Sequence, residues 1–275
     1  MNSTKTYQIG WFSTGRDKAA RDLLTAVHNS IQQGEIKADF AFVFCSREPG
    51  ESRESNLFIK MVGQYGIPLV CFSYQKFRVS IGATTEQAAN LPSWRLDYDR
   101  EVMKRLEGYS PDLCVLAGYI LVVGREMCQR YDMINLHPAA PGGPTGTWQE
   151  VIRQLIDNEA KTTGVMMHLV TPELDRGPVV AYCTFSIRGE PFDKYWLELK
   201  KQPPNSPKWQ QAREALFNLI RQHGLAREFP LIIATIKAFS QSKIEIRDKK
   251  VVDAEGRLLH GYDLTGEVDE KVAVV

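Results

Sequence analysis

The sequence predicts an α/β fold, a mostly parallel central sheet flanked by helices. Three observations predict it. Short apolar runs rich in Val, Phe and Ile recur between residues 7 and 187, segments of helical periodicity stand between them, and glycine or proline marks many of the joins. With 275 residues, 43% of them hydrophobic, the chain is long enough to bury about three-quarters of its unfolded surface in a real core.

The first run, YQIGWF at 7–12, reads as a buried strand. It is followed by RDLLTAVHNSIQQG at 21–34, where Leu23, Leu24, Val27 and Ile31 fall on one helical stripe and Gly34 supplies a C-terminal cap. FAFVFC at 40–45 and LVCF at 69–72 are the next strands. DYDREVMKRLEGY at 97–109 repeats the helical stripe with Tyr98, Val102, Leu106 and Tyr109, and Gly108 and Pro111 end it. LCVLAG (113–118), MINL (133–136), GVMMHLV (164–170) and VVAYCTFSI (179–187) complete the strand series. Beyond Ile187 the pattern becomes charged and is broken by QPPNSP, so a helical insertion or lid over 188–226 is expected within a single catalytic domain spanning 1–275. FPLIIATIKAF (229–239) reads as a last core helix, and 243–263 as short strands with polar turns.

Lys plus Arg number 34 against 33 Asp plus Glu, and like charges gather only in short patches such as RDKK at 247–250. That speaks against a nucleic-acid surface. The five cysteines lie far apart without a C-x-x-C spacing, as in a reduced, cytoplasmic protein. No apolar run approaches about 18 residues, so neither membrane insertion nor a secretory leader is indicated.

The chemistry concentrates in MINLHPAAPGGPTGTW, residues 133–148. Period-two alternation puts Asn135 and His137 on one face of a strand end, while Leu136 points into the core. Pro138 keeps His137 extended. The pair therefore stands at the carboxyl edge of a central strand, where open α/β sheets bind ligands. Gly142 and Gly143 permit a sharp loop, and Thr147 with Glu150 has the spacing of a capping box that opens a helix. A second cluster, GVMMHLVTPELDRGPVV at 164–180, delivers His168 into the sheet and Asp175 into a turn before Gly177-Pro178. Alone, each has a plainer reading: a hydrogen-bonded strand end, a core histidine and a turn-forming aspartate.

Together the two motifs resemble the folate-dependent formyltransferases, most closely the branch acting on glycinamide ribonucleotide. The match runs through Asn135-Leu136-His137-Pro138 and through Gly164, His168, Val170, Thr171, Asp175, Gly177 and Pro178. The resemblance implies a Rossmann-like catalytic fold and formyl transfer from 10-formyltetrahydrofolate, a donor co-substrate, in purine biosynthesis and one-carbon metabolism. It implies Asn135, His137 and Asp175 as catalytic residues. Arg95, Tyr119, Ile120, Leu121, Val122, Pro172, Glu173 and Leu174 are implied at the folate. Thr14, Gly15, Arg16, Lys18 and His168 are placed at the amine substrate. No metal, membrane or nucleic acid is implied, and a homodimer is left open.

The departures all fall on the amine side. STGRDKAAR at 13–21 replaces a phosphate-cradling turn, with Asp17 and Ala19 where the family has glycine and asparagine, and AAPGGPTGTW replaces Ser-Leu-Leu-Pro after the histidine. The acidic-histidine pair ahead of the final helix gives way to QHGLARE. Another phosphorylated or sugar amine is therefore an alternative acceptor. A formyltetrahydrofolate hydrolase is less expected, because its regulatory domain precedes the catalytic one and only six residues precede the first strand here. From other classes, His137, His168 and Asp175 could form the ligand set of a metal-dependent hydrolase, or the chain could bind folate without turning it over.

Overall fold

The structure, a computed structural model, describes residues 6–83 and 92–273. Strands β1 (Tyr7–Ser13), β2 (Ala38–Cys45) and β3 (Leu69–Cys71) are linked by helices α1 (Lys18–Gln32) and α2 (Arg53–Gln64). Helices α3 (Tyr74–Ser80) and α4 (Ser93–Arg105) follow, then β4 (Leu113–Leu116), α5 (Arg125–Arg130), β5 (Met133–His137), α6 (Trp148–Asp157), β6 (Thr162–Leu169) and β7 (Val179–Ser186). The chain ends with α7 (Asp193–Lys201), α8 (Pro207–Ser240), β8 (Ile244–Arg247), β9 (Lys250–Asp253), β10 (Tyr262–Asp263) and α9 (Thr265–Val272). Among the described residues eight strands form one sheet in the order β10-β7-β6-β5-β4-β1-β2-β3, of which β6 alone runs against its neighbours. The sequence reading of a mostly parallel α/β sheet is thus what the structure has. Chain order reverses direction between β1 and β4, which opens a crevice at their carboxyl ends beside β5.

Helices α1 and α4 bury the apolar residues that their sequences space along one face. Leu23, Leu24 and Val27 of α1 pack with Phe58 of α2 and Leu231 and Ile236 of α8 on one sheet face. Tyr98 and Val102 of α4 and Met127 of α5 cover the other, against Phe12, Phe42 and Phe44. Each fully buried large apolar side chain contributes about 1.5–3 kcal/mol. Gly34 follows α1 with φ of 75°, as its capping role requires. Helices α3 and α5, only 7 and 6 residues long, lack a strong sequence signal.

The segment after β7 differs from the expectation in one respect. Residues 207–240 form a single helix of 34 residues that runs through Pro230, so the foreseen core helix at 229–239 is the second half of α8. Its first half packs Leu216 and Ile220 with α7's Trp196 and with Val151, Ile152 and Leu155 of α6. Tertiary burial on both halves outweighs the one helical hydrogen bond that Pro230 removes. Among the described residues no helix is long and apolar enough to cross a membrane.

Candidate active site

The carboxyl end of β5 carries Asn135 and His137, and the antiparallel register of β6 sets His168 directly opposite Asn135. The loop after β6 then folds back hard. A Cβ on Gly177 would stand 1.6 Å from the Leu169 carbonyl oxygen, so only glycine lets this loop close. That fold-back brings Asp175 over the strand end with φ of 53°, a left-handed conformation aspartate tolerates better than most residues. Such backbone strain costs on the order of 1–3 kcal/mol and persists only where surrounding contacts impose it. Here they do: Asp175 Oδ2 accepts the Gly146 N–H at 3.2 Å and lies 3.7 Å from His137 Nδ1, while Oδ1 lies 3.5 Å from His168 Nε2.

The two imidazoles are held by main-chain carbonyls. His137 Nε2–H donates to the Pro144 carbonyl at 2.9 Å, which turns Nδ1 toward Asp175. His168 Nδ1–H donates to its neighbour, the Leu169 carbonyl, at 3.0 Å, leaving Nε2 to accept from the Asn135 amide at 3.2 Å. One N–H of that amide remains for another acceptor. Burial pushes the His137 pKa below its ordinary value, although the Pro144 carbonyl and the Asp175 carboxylate pull the other way. Burial pushes Asp175 up, but His168, His137 and the Gly146 N–H outweigh it and hold the carboxyl below its usual range. The resting state is therefore a neutral, buried His137 beside an ionised carboxylate that can stabilise a proton arriving on the ring.

All four side chains line one cavity of about 470 Å³. Leu116, the 119–123 loop and Val170 supply apolar lining, and Gly146, Thr147 and Glu150 polar lining on either side of the Trp148 indole. Tyr119, Ile120, Leu121, Val122 and Leu174 line this cavity together with the Asn135, His137 and Asp175 side chains. Pro172 and Glu173 instead border an adjoining hollow of about 300 Å³ with Arg125 and Lys249.

Arg95 also differs from its expected place. It is not in the cavity wall but 3% exposed, with Nη2 donating to Asp99 Oδ1 at 2.9 Å and to the Val122 carbonyl at 2.6 Å. Asp99 in turn accepts the Gly124 N–H at 2.7 Å, and burial raises its pKa despite the guanidinium. The pair braces the 119–124 loop from behind. Of the residues placed at the amine, Arg16 and His168 reach the cavity, whereas Thr14, Gly15 and Lys18 do not. Thr14 is fully buried and shares its hydroxyl between Ser46 Oγ and the Ile120 N–H. The sequence reading missed Pro144, Gly146 and Trp148; the capping box at Thr147 was the signal, since it fixes where α6 starts and hence what faces the strand end. Among the described residues no group of three His, Cys, Asp or Glu side chains is disposed to hold a metal ion.

Against this geometry, comparison with known proteins is specific. A family model described as formyl transferase matches residues 18–190, which take in both motifs and the whole strand end. The chain belongs to the formyl transferase family. Phosphoribosylglycinamide formyltransferase of Escherichia coli is 32% identical over 111 residues, 40% of this chain and 51% of that protein. A formyltetrahydrofolate deformylase of Haemophilus influenzae is 30% identical over 88 residues, 31% of each chain. The match to the Escherichia coli protein thus spans about half of its length. In the solved phosphoribosylglycinamide formyltransferase structure from Coxiella burnetii, the same Rossmann-like formyltransferase fold superposes with a TM-score of 0.65 at 19% identity, covering 94% of this chain and 99% of that one.

Proposed function

We propose that the protein transfers the formyl group of 10-formyltetrahydrofolate to the primary amine of a small substrate. The observation that carries this reading is the convergence of Asn135, His137, His168 and Asp175 on one wall of the cavity. Glycinamide ribonucleotide, the substrate named for the Escherichia coli relative, is the first acceptor to assay. In the reaction the amine nitrogen bonds to the formyl carbon, the carbonyl oxygen becomes an anion, and the carbon–nitrogen bond to the folate breaks as that nitrogen gains a proton. The free Asn135 N–H is a donor for the anion, a contribution of about 10²–10³ in rate. His137 Nδ1 takes the proton from the attacking amine, with Asp175 stabilising the imidazolium, and returns it to the leaving nitrogen through water, worth about 10²–10⁴. The apolar lining at 116–123 suits a pterin, and the braced loop offers backbone groups for its edge. Lys, Ser and Cys nucleophiles have no part in this scheme.

The test is to mix protein, formyl donor and glycinamide ribonucleotide, and follow the formyl group from folate to amine, with water-only and other-amine controls. Transfer supports the reading; loss of formyl to water alone favours hydrolysis, the activity named for the Haemophilus influenzae relative. Neither product sinks both. A cytoplasmic location, small-molecule partners only and a homodimer belong to the same proposal, and sedimentation velocity checks the last.

A further inference from the structure

The start of α1 is where an acceptor phosphate would find main-chain donors, and here three of the donors around it, those of Thr14, Gly15 and Ala20, are already engaged. Thr14 N–H donates to the Gly118 carbonyl at 3.0 Å and Gly15 N–H to Ser13 Oγ at 3.1 Å. Asp17 is the N-cap, its Oδ1 accepting the Ala20 N–H at 2.9 Å. The nearby cations are matched one for one with acids. Arg16 Nε lies 3.5 Å from Asp17, Lys18 Nζ 2.5 Å from Asp22, and Arg21 Nη1 2.5 Å from Glu54. A phosphate approaching this point would meet a carboxylate already in the cap, and cations that each already have an acidic partner.

The facing wall has a different character. Trp148 lines the cavity at the first position of α6. It is backed by Phe217, with ring centroids 5.7 Å apart, and by the Arg221 guanidinium 4.6 Å from its ring, itself fixed by buried Glu228 at 2.5 Å. A braced indole in a cavity that Thr147, Glu150 and Arg16 also line offers an apolar platform with hydrogen-bonding groups in the same lining. That suits a ring with C–H faces and hydroxyl edges. We propose that the acceptor is a primary amine on an unphosphorylated sugar, seated on Trp148, and that Asp17 excludes a phosphomonoester from the start of α1. This rests on the formyl-transfer reading, and it names the substrate class.

The test uses aminohexoses with the amine at C2, C3 or C4, their phosphate esters, and glycinamide ribonucleotide, each with 10-formyltetrahydrofolate. At least one unphosphorylated sugar should exceed its own ester and glycinamide ribonucleotide in kcat/KM by about tenfold, ~1.4 kcal/mol. Asp17→Asn keeps an equivalent cap but removes the charge, so it should narrow that gap by about fivefold or more. Trp148→Ala should raise the sugar KM by about tenfold while leaving the donor KM in place. Preference for a phosphorylated acceptor in the unmodified protein, or a gap unmoved by Asp17→Asn, overturns the assignment. Formylation of glycinamide ribonucleotide alone sinks the sugar and keeps the transferase; formylation of no amine sinks both.

Discussion

Replacing Asp175 with Asn probes the proton relay with little structural disturbance. Asparagine accepts the left-handed φ of 53° and can still receive the Gly146 N–H, so the loop should keep its shape. What disappears is one negative charge 3.7 Å from His137 and 3.5 Å from His168. At an effective dielectric of about 20, a unit charge at that range is worth roughly 4 kcal/mol to an imidazolium. A proton partly transferred in the transition state feels about half of it or more, so ~2–4 kcal/mol is lost, a fall in kcat of about 30- to 1000-fold. The donor KM should change by less than about threefold, because the carboxylate contacts the reacting centre rather than the pterin wall. Asp175 also draws the His137 pKa upward, so the acid limb of the kcat profile should move to lower pH in the variant. Stopped-flow absorbance of the folate product, across pH, reads all three quantities. Unchanged kcat with an unmoved acid limb would falsify the relay.

Three other outcomes follow from the same geometry. Gly177→Ala forces a Cβ against the Leu169 carbonyl oxygen at 1.6 Å, so overpacking of about 3 kcal/mol should lower Tm by roughly 6–12 °C; a calorimetric Tm within a degree of the parent contradicts the close approach. His137 is buried with a depressed pKa, so the stability it confers is present above about 6.5, its unfolded value, and is lost as pH falls from there toward the folded value. Asp175, also depressed, keeps its contribution down to about 3.8 and loses it below; His137→Asn should remove the first decline from a Tm–pH curve and leave the second. Arg95→Ala strands buried Asp99, which should cost about 3–5 kcal/mol in urea unfolding, and Asp99→Asn added to it should recover part of that loss. A second change without recovery means the guanidinium does not serve the loop through Asp99.

Much of the fold was legible because burial writes itself into period. Strands β1 to β7 show as short, largely apolar runs, and α1 carries a clean stripe, while α4 buries Arg95 and Asp99 beside Tyr98 and Val102. The short α3 and α5 were not legible, since two turns of helix give no period to read. At the site, Asn135 and His137 could be paired by alternation and Asp175 placed by its motif, but His168 was ambiguous. Its role depends on the β5–β6 register, which sets it opposite Asn135, and register is a tertiary property. Arg95 was illegible for a related reason: the resemblance implies a place at the folate, and only Asp99 one turn later, together with the Val122 carbonyl, draws the side chain inward. The phosphate loop departed visibly in sequence, yet that Asp17 caps α1 itself is a fact of geometry.

The unbroken run of α8 limits how the protein can be cut. At 1.5 Å per residue its 34 residues make a rod of about 50 Å, with one end beside α6 and the other buried against the sheet. A truncation at 226, where composition alone suggests a boundary, would saw through that rod and remove Glu228, which fixes the Arg221 that backs Trp148. Engineers wishing to exchange the outer helices for those of a relative should therefore splice at 202–206, where the chain is already turning, and carry the rod across whole.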